Sequence, residues 1–253
     1  MKKIAVLLVF FSGLMVFAQK KVAVEVVYAK EVSMDAKLTG AMWQSAKAYP
    51  LFRGKYNQRD WPKAKRKNVG RKLLNSAYVK FLWDEVNLYI GVMMEDRDVV
   101  AEGVEDQTHL YQMGDTIEVF LKPVERNFYW EIYGTPNLKK SVFFYPGRGR
   151  LFVPSSTAHP VDVEVAADVV GTLNDYRDQD KGWSVIIAVP VKMLEKQGYP
   201  FAPGKPWTVL VARQNYSADL PLKELSTQTP LSQIDFHLQE EYGDLILLPP
   251  PAK

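Results

Sequence analysis

The chain has 253 residues, 47% hydrophobic and 24% charged, the profile of a globular protein that can bury a sizeable core without covalent staples. It has no cysteine, which excludes disulfides, thiolate metal sites and anchoring through a lipidated N-terminal Cys. Its 32 Lys and Arg against 29 Asp and Glu give a net charge of +3, too even a balance to suggest a nucleic-acid binder.

Residues 1–18 read as a secretory signal peptide. Lys2 and Lys3 precede an apolar run over 4–17, broken only by Ser12 and Gly13, and Val16-Phe17-Ala18 offers a small-residue cleavage site. The run is too short for a comfortable membrane span. The expectation is a secreted or periplasmic protein without a membrane span, its residues 19–253 one monomeric domain. Removing two of the 32 basic residues against 29 acidic ones leaves +1.

Residues 22–28 alternate and are β-branched, the first strand. Leu38, Trp43 and Ala46 then suit a short turn docked on a sheet. Residues 53–72 carry nine Lys or Arg against one acid, Asp60, with Tyr56, Trp61 and Pro62 interleaved. Such a stretch can bind an acidic polymer, but blocks of like charge more often stay solvated, and that is the preferred reading.

Residues 77–83 and 88–94 form a hairpin across Asp84-Glu85-Val86-Asn87. An acidic connection follows, with Asp96, Asp98, Glu102, Glu105 and Asp106. In the strand over 115–122, Ile117, Val119 and Leu121 face one way and Thr116, Glu118 and Phe120 the other. Further strands are expected over 128–133, 141–145, 162–169, 207–216 and 244–248. The clearest stretch is 171–190, a polar turn followed by a strand with Trp183, Val185, Ile187 and Val189 on one face. Its other face is also largely apolar, which suits an inner strand covered on both sides and ended by Pro190. One short helix is expected over 191–197, with Pro190 before it and Gly198 after it. The whole reads as all-β, an antiparallel β-sandwich (jelly-roll or immunoglobulin-like) with one or two short helices.

Several stretches in this order resemble the family 9 carbohydrate-binding modules and their stand-alone relatives. They are Trp83-Asp84-Glu85 with Leu88-Tyr89-Ile90, then Asp115-Thr116-Ile117-Glu118-Val119-Phe120-Leu121. Gly171-Thr172-Leu173-Asn174-Asp175, Gly182-Trp183 and Ala188-Val189-Pro190 follow. Phe236-His237 and Tyr242-Gly243-Asp244-Leu245 fit the closing motif. The resemblance implies a non-catalytic β-sandwich that holds an oligo- or polysaccharide between two aromatic rings, with hydroxyls on carboxylates and amides and calcium bracing loops. Under it Glu118 is the strand's sugar-binding acid and Phe236 one of the rings. The other ring's position holds Gln112, with Tyr111 adjacent. Tyr133 and Thr135 stand where relatives have a second acid and an Asn.

Among candidate sites, Glu118 and Glu131 could share one sheet face. Paired carboxylates are the equipment of glycoside hydrolysis, yet they also simply accept sugar hydroxyls. No sequence-local spacing links His109, His159 and His237, which weighs against an enzyme. Tyr111, Trp130 and Phe236 lie at loops or strand ends and suit a stacking platform; Phe236 is expected to be exposed. Asp175, Asp178 and Asp180 are dense enough in oxygen for a structural calcium ion, with residues 96–106 a competing site. Rival readings are a haem-binding electron-transfer module with Met93, Met94, Met113 or His109 as ligands, and a structural adhesion module.

Overall fold

The computed structural model describes residues 21–53, 73, 75–148, 162–220 and 222–251. The leader at 1–18, the basic stretch after Arg53 and His159 lie outside the described residues.

Among the described residues, thirteen strands and two short helices follow one another in chain order. They are β1 (Ala23–Tyr28), α1 (Ala41–Ser45), β2 (Tyr49–Pro50), β3 (Phe52–Arg53), β4 (Ala77–Trp83), β5 (Asn87–Glu95), β6 (Thr116–Pro123) and β7 (Tyr129–Gly134). Then come β8 (Lys140–Tyr145), β9 (Glu164–Val170), β10 (Gly182–Pro190), α2 (Val191–Glu195), β11 (Trp207–Asn215), β12 (Glu224–Thr227) and β13 (Gly243–Leu247). The long strands fall where alternation put them. The short, polar β2, β3 and β12 carry no such alternation and were not expected.

The strands make a β-sandwich. One sheet runs β8-β7-β6-β11-β13 and the other β4-β5-β10-β9, and β1 joins them. Its first four residues pair parallel with β13 and its last two pair parallel with β4. Among the described residues these are the two parallel pairings in an otherwise antiparallel structure, and they link one sheet to the other.

The main core lies between the sheets, built from alternate residues of both. Ile117, Val119 and Leu121 of β6 meet Trp183, Val185, Ile187 and Val189 of β10 there, all buried. The opposite face of β10 is covered as well, since Ile186 and Ala188 pack with Leu38, Trp43 and Ala46 of the α1 segment. Gly91 makes room for that lid, because a Cβ there would lie 2.8 Å from both Leu38 and Trp43 side chains. Pro190 closes β10 and opens α2.

The polar turn before β10 is stitched to the segment after β5. Asp180 accepts the Val99 N–H at 2.7 Å and the Thr172 N–H at 2.6 Å, and Asn174 accepts the Ala101 N–H at 2.7 Å. Gly171 permits this with a positive φ of 155°, and a Cβ there would fall 1.8 Å from the Asp180 carboxylate. Gly171→Ala is expected to lower stability by about 1–3 kcal/mol, read as a drop in the urea midpoint at constant slope.

Candidate functional site

The outer face of the β8-β7-β6-β11 sheet is aromatic. The alternation that sends Ile117 and Val119 inward sends Phe120, Tyr133, Phe143 and Tyr145 outward, where they cluster with Leu210 and Ala212. A sheet face this apolar needs a cover. Part comes from the 3-10 turn Leu110–Gln112 and part from the chain before β13, which brings Phe236, His237 and Tyr242 over the sheet. Between these two covers lies a cavity of about 390 Å³.

Strand register places the two glutamates in it. Glu118 of β6 stands opposite Tyr133 of β7, and Phe120 stands opposite Glu131. Glu118 and Glu131 are therefore diagonal neighbours on one face. Gln214 reaches the same floor from β11, two residues beyond Ala212, the partner of Glu118. Glu118, Glu131, Tyr111 and Phe236 all line this one cavity, together with His109, Phe120, Tyr133, Tyr145, Gln214 and His237.

Both carboxylates are buried and hydrogen-bonded to neighbours on the same face. The Gln214 side-chain amide donates to Glu118, and the Tyr133 hydroxyl donates to Glu131. Burial, followed by the charge of Glu131, pushes the Glu118 carboxyl up to about 8, with the Gln214 bond and Lys223 opposing. Burial likewise raises Glu131. Two buried like charges cannot both ionise cheaply, so the pair retains a proton at neutral pH.

What the floor leaves over is a set of unpartnered polar atoms. Oε2 of Glu131 and Oε1 of Gln214 are buried without a hydrogen-bond partner among the described residues, as is Nδ1 of His109. An orphaned buried polar atom costs on the order of 1–3 kcal/mol, so a ligand carrying hydroxyl donors would relieve a standing penalty.

The two predicted rings are held differently. Tyr111 stands edge-on to Tyr133, ring centroids 6.1 Å apart, with the Lys223 ammonium 5.3 Å from its centroid. Gln112, the position the resemblance gives to a ring, is exposed and its amide donates to the Tyr111 hydroxyl at 3.1 Å. Phe236 was expected to be exposed, and this is corrected. Its ring is half-buried, edge-on to Phe120 at 6.2 Å, and its carbonyl accepts the Tyr242 hydroxyl at 2.5 Å. The reason is the aromatic outer face, which Phe236 helps to cover. Trp130, the other platform candidate, is fully buried in the main core.

Sequence reasoning missed Gln214 and the roles of His109 and His237. His109 lies flat on Phe143, centroids 5.1 Å apart, and His237 Nδ1 is 3.1 Å from the Tyr129 hydroxyl. For Gln214 a signal existed, because Leu210, Ala212 and Gln214 share one face and the apolar alternation turns polar at the third. The histidines carried none.

The calcium set does not come together. Both oxygens of Asp180 accept backbone N–H groups, and Asp175 is paired with Arg177 at 2.7 Å. Asp98 accepts the Ala218 N–H at 2.5 Å, and Asp96 pairs with Arg213 at 2.9 Å. Among the described residues no three His, Cys, Asp or Glu side chains gather as a metal site. Of the haem ligands, Met94 lies in the inner core and Met93 on the α1 face, while Met113 and His109 share the aromatic face. No helix of the described residues is long and apolar enough to cross a membrane.

No protein-family model matches the chain, and no curated protein matches it. Solved structures do. A candidate carbohydrate-binding protein from Bacteroides uniformis ATCC 8492 superposes with a TM-score of 0.69 at 13% identity, over 90% of this chain and 100% of that one. A family 9 carbohydrate-binding module from Caldicellulosiruptor kristjanssonii in complex with cellotriose gives 0.58 at 12% identity, over 89% and 93% of the two chains. A module of that family and organism in complex with glucose gives 0.58 at 12%, over 91% and 98%. The chain has the fold of these proteins, a β-sandwich.

Proposed function

We propose that the protein binds carbohydrate without transforming it, at the cavity of Glu118, Glu131, Tyr111 and Phe236. One observation carries this reading: buried, unpartnered carboxyl and amide oxygens form the floor of a cavity walled by aromatic rings. A pyranose matches that arrangement, since its C–H face covers a ring while its hydroxyls donate to carboxylate and amide oxygens. Glu118 and Glu131 would take hydroxyls through their unshared lone pairs, Gln214 Oε1 a third, and Tyr111 and Phe236 would flank the sugar. The likeness to modules solved with cellotriose and glucose supports this choice of ligand.

In this reading the two carboxyls accept sugar hydroxyls rather than serve as the acid and nucleophile of hydrolysis, and the likeness to carbohydrate-binding modules supports that choice. With an exported leader the protein would act outside the cytoplasm, serving polysaccharide breakdown or uptake.

Calorimetric titration with cellotriose and glucose tests the reading. Phe236→Ala is expected to weaken binding about tenfold or more, by the 1–3 kcal/mol that one stacked ring contributes to a flat ligand. Because the ring also packs on Phe120, the variant should lose on the order of 1–2 kcal/mol of stability and remain folded. Unchanged affinity in a folded Phe236→Ala protein would remove the ring from the site.

A further inference from the structure

Beside the sugar cavity a second one, of about 740 Å³, opens between the ends of β6 and β11 and the chain following β8. Its wall carries Lys21, Lys122 and Arg148 against one acid, Glu240, with Thr208 and Gln239 among the neutral polar groups. Glu240 is already taken, since Arg148 grips it with both terminal nitrogens, one at 2.6 Å. That leaves two ammonium groups facing the cavity. The Lys122 side chain is half-buried and donates to a backbone carbonyl, that of Pro123, at 3.0 Å. Burial, then the nearby positive charges of Lys21 and Arg148, depress its pKa, with Glu240 opposing. Cations crowded in this way gain from an incoming anion.

The two cavities share a wall. Arg148 donates to the His237 carbonyl at 2.9 Å, and the His237 ring lies 6.3 Å from that of Tyr145. His237 and Tyr145 line the sugar cavity, while Arg148 and Gln239 line the basic one. The two cavities therefore lie on either side of one thin wall.

We propose that the basic cavity is an acidic-sugar subsite, in which a glycan seated in the neighbouring cavity places a uronate carboxylate between Lys21 and Lys122. The inference rests on the sugar-binding reading above and deepens it to a ligand class, oligosaccharides that carry carboxylates. Two point charges serve for one carboxylate, and Thr208 and Gln239 supply hydrogen bonds to the hydroxyls of the same sugar.

Calorimetry with two trisaccharides of equal length and linkage tests it, cellotriose and its C6-oxidised counterpart, β-1,4-linked triglucuronate. The wild type is expected to bind triglucuronate about tenfold more tightly than cellotriose at low salt, the worth of hydrogen bonds to a charged group. The advantage should fade as salt rises. Lys122→Gln should abolish it and Lys21→Gln, at an exposed position, should reduce it, with cellotriose affinity unchanged in both. Lys21→Gln alone decides the matter if Lys122→Gln does not fold. Triglucuronate binding no tighter than cellotriose, or an advantage that survives the lysine variants, would overturn the subsite and leave the sugar-binding reading standing. If neither trisaccharide binds the wild type, both fall together.

Discussion

Replacing Arg213 by Met is expected to destabilise the protein by about 3–5 kcal/mol, the usual result of stripping one partner from a buried ion pair. Arg213 is only 1% exposed, and its guanidinium donates to Asp96 at 2.9 Å, to the Glu95 carbonyl at 2.9 Å and to Asn215 at 3.1 Å. It also reaches the Asn75 carbonyl at 3.3 Å. Without it the Asp96 carboxylate would be buried next to Asp115, whose own pKa is raised by burial and then by the charge of Asp96. Asp115 must stay where it is, because its oxygens accept the Val100 and Tyr216 N–H groups. The loss should reach the cavity of Glu118 and Glu131 too, since the next residue on β11, Gln214, donates to Glu118. Urea unfolding measures the cost, and a variant within about 1 kcal/mol of wild type would show that the pair contributes no more than a surface one.

The second large effect is a dependence of stability on pH. Folding raises the Glu118 carboxyl from an ordinary 4.5 to about 8. Below 4.5 the group is protonated in both folded and unfolded chains and contributes nothing. Between 4.5 and 8 the unfolded chain releases a proton that the folded protein keeps, so stability falls as pH rises, by roughly 1 kcal/mol per pH unit for this group. Above 8 both states are ionised and the loss levels off. Asp96, Asp115 and Glu131 are also raised, so they tilt the profile in the same direction. Glu118→Gln keeps the shape, drops the titration, and should flatten the profile between pH 5 and 8. Urea midpoints at pH 5, 6.5 and 8 for both proteins provide the comparison. Parallel profiles would mean that Glu118 ionises freely in the folded protein.

Much of the architecture was legible because it rests on local pattern. Trp183, Val185, Ile187 and Val189 announce an inner face by period alone, and Gly171 with its Asp-rich turn announces the hairpin that feeds it. β12 escaped because Glu224, Ser226 and Thr227 are polar yet buried, held by neighbours distant in sequence. The acidic stretch after β5 illustrates the same limit more sharply. Asp96 looked solvated or metal-bound because Arg213, its partner, is 117 residues away.

The candidate site divides along the same line. Glu118 and Glu131 could be placed on one face from strand phase, and the register then made them neighbours. Phe236 was misjudged as exposed because nothing local reveals that the sheet beneath it is aromatic on its outer side. His109 and His237 enter only through tertiary packing, one on Phe143 and the other against Tyr129.

Those two imidazoles offer the most direct measurement. The chain has three histidines, so the ring resonances of His109 and His237 are readily assigned by substitution. Cellotriose titrated into the protein should move both signals along one saturation curve, with the same Kd as calorimetry. The indole N–H of Trp43, which α1 buries against the outer face of the other sheet, should stay still. Saturable binding that leaves His109 and His237 unmoved would contradict the account, because the sugar would then lie somewhere other than the cavity of Glu118 and Glu131.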